Sequence, residues 1–118
     1  MIVFKDFTFD SAHFLPFVPD DHKCRRMHGH TYSLRVVVEG PLDPKLGWVM
    51  DFAEINKVVK PIVEALDHRV LNDIEGMENP TAEVIAKWLW DKIKPEIPLL
   101  TRVEVSETPR SGVVYEGD

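Results

Sequence analysis

An α+β domain, with an antiparallel four-stranded sheet carrying two helices on one face, is what this sequence predicts. Three observations carry that expectation. Residues 2–10 and 31–39 are rich in β-branched and aromatic side chains and alternate with the two-residue period of a strand. Phe52, Ile55, Val58, Val59, Ile62 and Leu66 recur at helical spacing, and a second helical pattern follows them. Two more short alternating runs close the chain, so the order is β, β, α, α, β, β.

The first strand covers residues 2–10, where Phe7 and Phe9 alternate with Thr8 and Asp10. Residues 11–29 are polar and punctuated by proline and glycine, which reads as a loop. Thr31 to Glu39 forms the second strand, starting near His28 and stopped by Gly40-Pro41. Gly47 to Met50 is a short extended piece. Asp51, with Glu54 three residues on, is a helix start of the capping-box kind. Pro61 lies inside that helix and should kink or break it. After a loop from Asp67 to Glu78, Asn79 caps a second helix with Pro80 at its first position, burying Val84, Ile85, Trp88, Leu89 and Ile93. Pro95 and Pro98 end it. Thr101 to Ser106 and Val113 to Glu116 are the last strands, joined by the turn Thr108 to Gly112. Such a sheet leaves a face and two edges uncovered, which predicts a partner subunit.

At 118 residues the chain is sized for one domain, spanning 1–118. A net charge of −6 excludes a general nucleic-acid binder, which would carry a basic field. No apolar run approaches the roughly 20 residues that cross a bilayer. With one cysteine and no basic, apolar leader at Met1, a cytoplasmic protein without an intrachain disulfide is expected.

Chemistry concentrates in Asp21 to His30, D-H-K-C-R-R-M-H-G-H. His28 and His30 are separated by one residue, so on a strand both imidazoles point to one side. Neutral imidazoles are good zinc ligands, and a catalytic zinc keeps three protein ligands and an open position. His13 supplies the third if strands one and two pair. Cys24 has three readings: a fourth metal ligand, a thiolate base or nucleophile, or a small apolar filler. Lys23, Arg25 and Arg26 beside it favour thiolate and could cradle a phosphorylated ligand, or form an ordinary solvated surface. Asp67-His68 is either a carboxylate orienting an imidazole or an exposed pair at a helix end. Glu107 is either a turn carboxylate or an acceptor for a guanidine-like N–H edge.

Together these residues resemble the 6-pyruvoyl-tetrahydropterin synthase family, and closely its 6-carboxy-tetrahydropterin synthase branch. The resemblance runs through F-T-F-D-S-A-H-F-L-P, H-K-C-R-R-M-H-G-H-T, G-W-V-M-D-F-A-E, L-D-H-R-V-L-N-D-I, E-N-P-T-A-E-V-I-A-K-W-L-W and the terminal S-E-T. The C-x-x-x-H-G-H spacing is that of the carboxy branch. The resemblance implies the tunnelling fold: trimers closing a β-barrel, two trimers making a homo-hexamer, active sites at subunit interfaces. It implies zinc on His13, His28 and His30, Cys24 as general base, and Asp67 with His68 as the second proton-transfer unit. Glu107 would anchor the 2-amino and N3 edge of a pterin, with Thr81 nearby. The implied substrate is 7,8-dihydroneopterin triphosphate, and Lys23, Arg25 and Arg26 suit its triphosphate by charge. The implied product is 6-carboxy-tetrahydropterin, a precursor for deazaguanine (queuosine or archaeosine type) biosynthesis. The rivals are 6-pyruvoyl-tetrahydropterin formation and a non-catalytic, zinc-stabilised pterin-binding module.

Overall fold

The structure is a computed structural model that describes residues 1–117. Strand β1 runs Ile2–His13 and β2 His28–Glu39, with a 3-10 turn at Lys23–Arg25 between them. Helix α1 spans Phe52–Glu64, a two-residue strand β3 follows at Arg69–Val70, and helix α2 spans Ala82–Ile93. Strands β4, Leu100–Thr108, and β5, Ser111–Tyr115, complete the sheet in the order β3-β1-β2-β4-β5. The sheet has five strands, not the expected four. The extra one is β3, held parallel to β1 by pairing with Ser11 and Ala12.

β1 extends three residues past its expected end, and the reason lies in β2. The antiparallel register runs unbroken from Ile2 opposite Glu39 to His13 opposite His28, so residues with polar, loop-like character are held by a partner strand. One row of side chains on each strand faces the helices. Phe9, Ser11 and His13 on β1, Tyr32, Leu34, Val36 and Val38 on β2, and Val103 and Val105 on β4 are all buried. α1 adds Ile55, Val59 and Val63, and α2 adds Ile85, Leu89 and Ile93, which gives one core between sheet and helices.

Asp51 caps α1 by accepting the Ala53 N–H at 2.9 Å. The helix runs through Pro61 without the expected break. Pro61 sits one turn from the C-terminus, so the N–H it removes from the ladder lies near the end of the helix, with only three helical residues beyond it. Phe52, expected in the apolar stripe, is 53% exposed. For α2 the cap is Thr81, not Asn79: its hydroxyl accepts the Val84 N–H at 3.1 Å. Pro80 therefore precedes the cap and keeps its carbonyl for another partner. Of the expected buried set, Val84 and Trp88 are only half-buried, and Trp88 donates its indole N–H to the Glu75 carbonyl at 3.2 Å.

The sheet face away from the helices carries ion pairs rather than a second layer. Arg35 forks onto Asp6 at 2.8 and 3.0 Å and lies 3.9 Å above the Phe4 ring, which holds the Asp6 carboxyl below its usual range. Arg102 pairs with Glu104 at 2.9 Å. Among the described residues, β1 has no strand neighbour along Ile2 to Asp10 on its outer side. No described helix is long and apolar enough to cross a membrane.

Candidate metal centre and active site

His28 and His30 continue the helix-facing row of β2 beyond Tyr32, and His13 continues that of β1 beyond Ser11. The core thus turns polar at this end of the sheet by strand alternation alone. His13 and His28 are directly opposite in register, and His30 is two residues along. The ring centroids are 4.5, 5.0 and 5.2 Å apart, and one nitrogen from each ring lies within 4.8 Å of the other two.

Two hydrogen bonds settle which nitrogens are offered. The Nδ1 of His13 lies 2.8 Å from the Pro80 carbonyl and that of His28 lies 2.7 Å from the Arg26 carbonyl. A carbonyl only accepts, so Nδ1 carries the proton in both rings and Nε2 presents its lone pair. The Nε2 atoms of His13 and His30 are buried without a hydrogen-bond partner among the described residues. Burial also lowers the His13 pKa, against smaller opposing effects from Pro80 and Glu107, which favours the neutral ring. Converging unpaired lone pairs suit a cation, and three imidazoles suit zinc. Glu107 reaches towards them, with its carboxylate oxygens 4.0 Å from His13 Nε2 and 3.7 Å from His30 Nε2, too long for hydrogen bonds.

Cys24 does not belong to the converging set, so the structure does not place it as a fourth ligand in this arrangement. It sits half-buried in the 3-10 turn. Its N–H donates to His22 Nδ1 at 3.0 Å, and its carbonyl accepts the Leu15 N–H at 2.8 Å, which ties the turn to the chain leaving β1. Arg25 is largely engaged in the same loop: Nη1 donates to the carbonyls of Pro16 and Val18 at 2.8 and 3.0 Å, and Nε lies 3.3 Å from Asp20. Lys23 and Arg26 are exposed.

Asp67 and His68 form the pair expected of them, with His68 Nδ1 2.8 Å from Asp67 Oδ2. The other oxygen of Asp67 accepts the Asp10 N–H at 2.8 Å, and the His68 N–H donates to the Asp10 carbonyl at 2.6 Å. These contacts hold His68 in the left-handed region, φ 56°, which non-glycine residues rarely adopt. The Asp10 N–H, then His68, push the Asp67 pKa down, and the Asp67 hydrogen bond pushes His68 up.

The site residues divide between two clefts. His68 lines one with Asp10, Ala12, Gly29, His30 and Arg69. Glu107 and Thr81 line another with Leu15, Glu83 and Gly112. His30 borders the first cleft, and Glu107, in the second, faces His13 and His30.

The profile of the 6-pyruvoyl tetrahydropterin synthase family matches residues 2–118. The chain belongs to this family. A relative from Synechocystis, 6-carboxy-5,6,7,8-tetrahydropterin synthase, is 41% identical over 97% of this chain and 92% of its own. A relative from Pyrococcus furiosus, dihydroneopterin monophosphate aldolase, is 43% identical over 92% of this chain and 91% of its own. The solved structure of 6-pyruvoyl tetrahydropterin synthase from Caenorhabditis elegans superposes with a TM-score of 0.92 at 28% identity, covering 100% of this chain and 96% of the other.

For this family member, sequence reasoning missed three supporting groups. The Pro80 carbonyl orients His13 but is backbone, so no side-chain signal marks it. Asn72 holds the segment after His13 by bonding both the N–H and carbonyl of Phe14, at 3.0 and 2.8 Å. Tyr32 underlies the triad, and its place in the alternation 28, 30, 32 was the available signal.

Proposed function

We propose that this chain is a zinc-dependent lyase that converts 7,8-dihydroneopterin triphosphate to 6-carboxy-5,6,7,8-tetrahydropterin, releasing acetaldehyde and triphosphate. The observation that carries this reading is the convergence of three imidazoles, two of which, His13 and His30, bury unpaired Nε2 atoms. It occurs in a chain 41% identical to a relative of that name. His13, His28 and His30 would hold the metal. Bound there, zinc supplies Lewis acidity towards the side-chain oxygens of the substrate.

The remaining steps fall to the chain's own groups. Cys24, as thiolate, removes a side-chain proton. His68 returns one through Nε2, since its Nδ1 faces Asp67. Glu107 accepts the 2-amino and N3 donors of the pterin, with Thr81 beside it in the same cleft. Lys23 and Arg26 are the freer cations for triphosphate; Arg25 keeps one nitrogen, Nη2, for it. In the hexamer implied by the family resemblance, the open sheet face lines a barrel and the active sites form between copies. The division of site residues over two clefts supports that assembly. A cytoplasmic setting and a place in deazaguanine precursor synthesis belong to the same proposal.

A second reading is favoured by the Pyrococcus relative. An aldolase would cleave a side-chain carbon–carbon bond with the same base and acid, without reducing the ring. Incubating the zinc-loaded protein with 7,8-dihydroneopterin triphosphate separates the readings. Acetaldehyde with a 6-carboxy product is expected; a retained three-carbon side chain would mean pyruvoyl formation, and a phosphorylated aldehyde with an unreduced ring would mean the aldolase. Cys24→Ser should keep its zinc and lose about 100- to 10,000-fold in turnover, the usual range for a general base. Unchanged turnover would reject the assigned base.

A further inference from the structure

Three buried side-chain polar atoms lack a hydrogen-bond partner among the described residues: Nε2 of His13, Nε2 of His30 and the phenol oxygen of Tyr32. They belong to one neighbourhood, because the Tyr32 ring lies 5.8 Å from the His13 ring and 5.4 Å from the His30 ring, edge-on to both. The two nitrogens are accounted for by a metal. The phenol is not.

Packing alone does not call for that oxygen. Tyr32 is 0% exposed and stacks on Phe9 at 4.9 Å with 10° between the rings, a contact that a phenylalanine would make equally well. An unpaired buried hydroxyl costs stability that its apolar isostere would not. The neighbouring acceptor is Glu107. Continuing the register from Ser33 opposite Ser106 places Glu107 opposite Tyr32 on the same face of the sheet. Both groups border the same two imidazoles, those of His13 and His30.

We propose that Tyr32 is a positioning residue for substrate: its O–H donates to the Glu107 carboxylate in the loaded site and holds both carboxylate oxygens towards the N–H edge of the ligand. This rests on the pterin reading above. In the present arrangement Glu107 leans towards the imidazoles, at 4.0 and 3.7 Å, and satisfies neither them nor the phenol. A metal on the imidazoles and a donor edge in the cleft would give each group a partner.

The test uses the whole zinc-loaded protein with neopterin, oxidised and unphosphorylated, so that binding is read without turnover. Tyr32→Phe should raise the neopterin Kd about tenfold, the effect of losing one hydrogen bond to a charged group. Zinc stoichiometry should be unchanged, and the Tm of the metal-free protein equal or higher. Glu107→Gln should weaken binding further, and adding Tyr32→Phe to it should weaken binding no more, since the two act as one unit. Wild-type affinity in Tyr32→Phe, loss of zinc in that variant, or effects that multiply in the double variant would each overturn the inference. Wild-type protein that binds zinc but no neopterin would instead overturn the pterin reading, and the positioning role with it.

Discussion

The metal triad and the Asp67–His68 pair are both expected to handle the same substrate, yet the chain holds them in opposite ways. The triad stands on two twelve-residue strands in continuous register, and its central ring, His13, is 1% exposed. The pair stands on the short link between α1 and β3. Its histidine side chain is 78% exposed, its backbone is left-handed, and it is fastened to the sheet through Asp10 alone among the described backbone contacts. A metal ligand must keep its place to fractions of an ångström, which regular pairing provides. A proton shuttle must gain and lose charge, which exposure permits. In the proposed assembly, an exposed corner also leaves it free to serve a site completed by another copy of the chain.

The contrast can be broken most forcefully at the triad. His30→Ala should weaken zinc binding more than about 100-fold, beyond the usual cost of losing an outer-shell partner, and turnover should vanish with the metal. Elemental analysis after gel filtration checks it, and full zinc content would show that the triad is not the centre. At the pair, Asp67→Asn should leave zinc in place and reduce turnover about tenfold or more, because His68 loses the group that orients it. The alkaline limb of the rate profile should also move to lower pH. The sign follows from the shifts: the His68 pKa is raised above 6.5 by Asp67, and removing that carboxylate lets it fall. NMR titration of the His68 ring reads the shift directly; an unmoved ring would detach the two residues.

The same shifts set the window in which the pair supports the fold. The Asp67 contribution is present above 3.8 and is lost as pH falls through its lowered value. That of His68 is present below 6.5 and is lost as pH rises through its raised value. The smallest expected effect is on stability. His68→Asn should keep the Tm or raise it by a few degrees, because asparagine tolerates the left-handed backbone better, while turnover falls. A large drop in Tm would mean that the imidazole is a structural prop.

Most of the triad was legible in the sequence because strand alternation is local: His28, His30 and the strand that follows obey one period. The end of β1 was not legible. Ser11, Ala12 and His13 carry no strand propensity strong enough to outweigh their neighbours, and their conformation comes from pairing with residues 28–30. β3 was invisible for the same reason, since two residues become a strand only when β1 is beside them. Asn79 and Thr81 are both good caps, and the choice went to the residue whose selection frees the Pro80 carbonyl for His13. The Asp67–His68 hydrogen bond was expected from adjacency, whereas its backbone anchor on Asp10, 57 residues away from Asp67, could only come from the fold.

The bond between His13 and Pro80 has a thermodynamic consequence. Pro80 leads directly into Thr81, which lines the cleft of Glu107, so one imidazole joins the proposed metal position to the wall of the proposed substrate cleft. Any ligand that draws this wall into a tighter arrangement acts on the imidazole through the same bond. If it strengthens the grip on zinc by some factor, zinc must strengthen the grip on that ligand by the same factor. Metal retention during chelator challenge, with and without a pterin present, would then measure occupancy of a cleft that the metal itself does not enter.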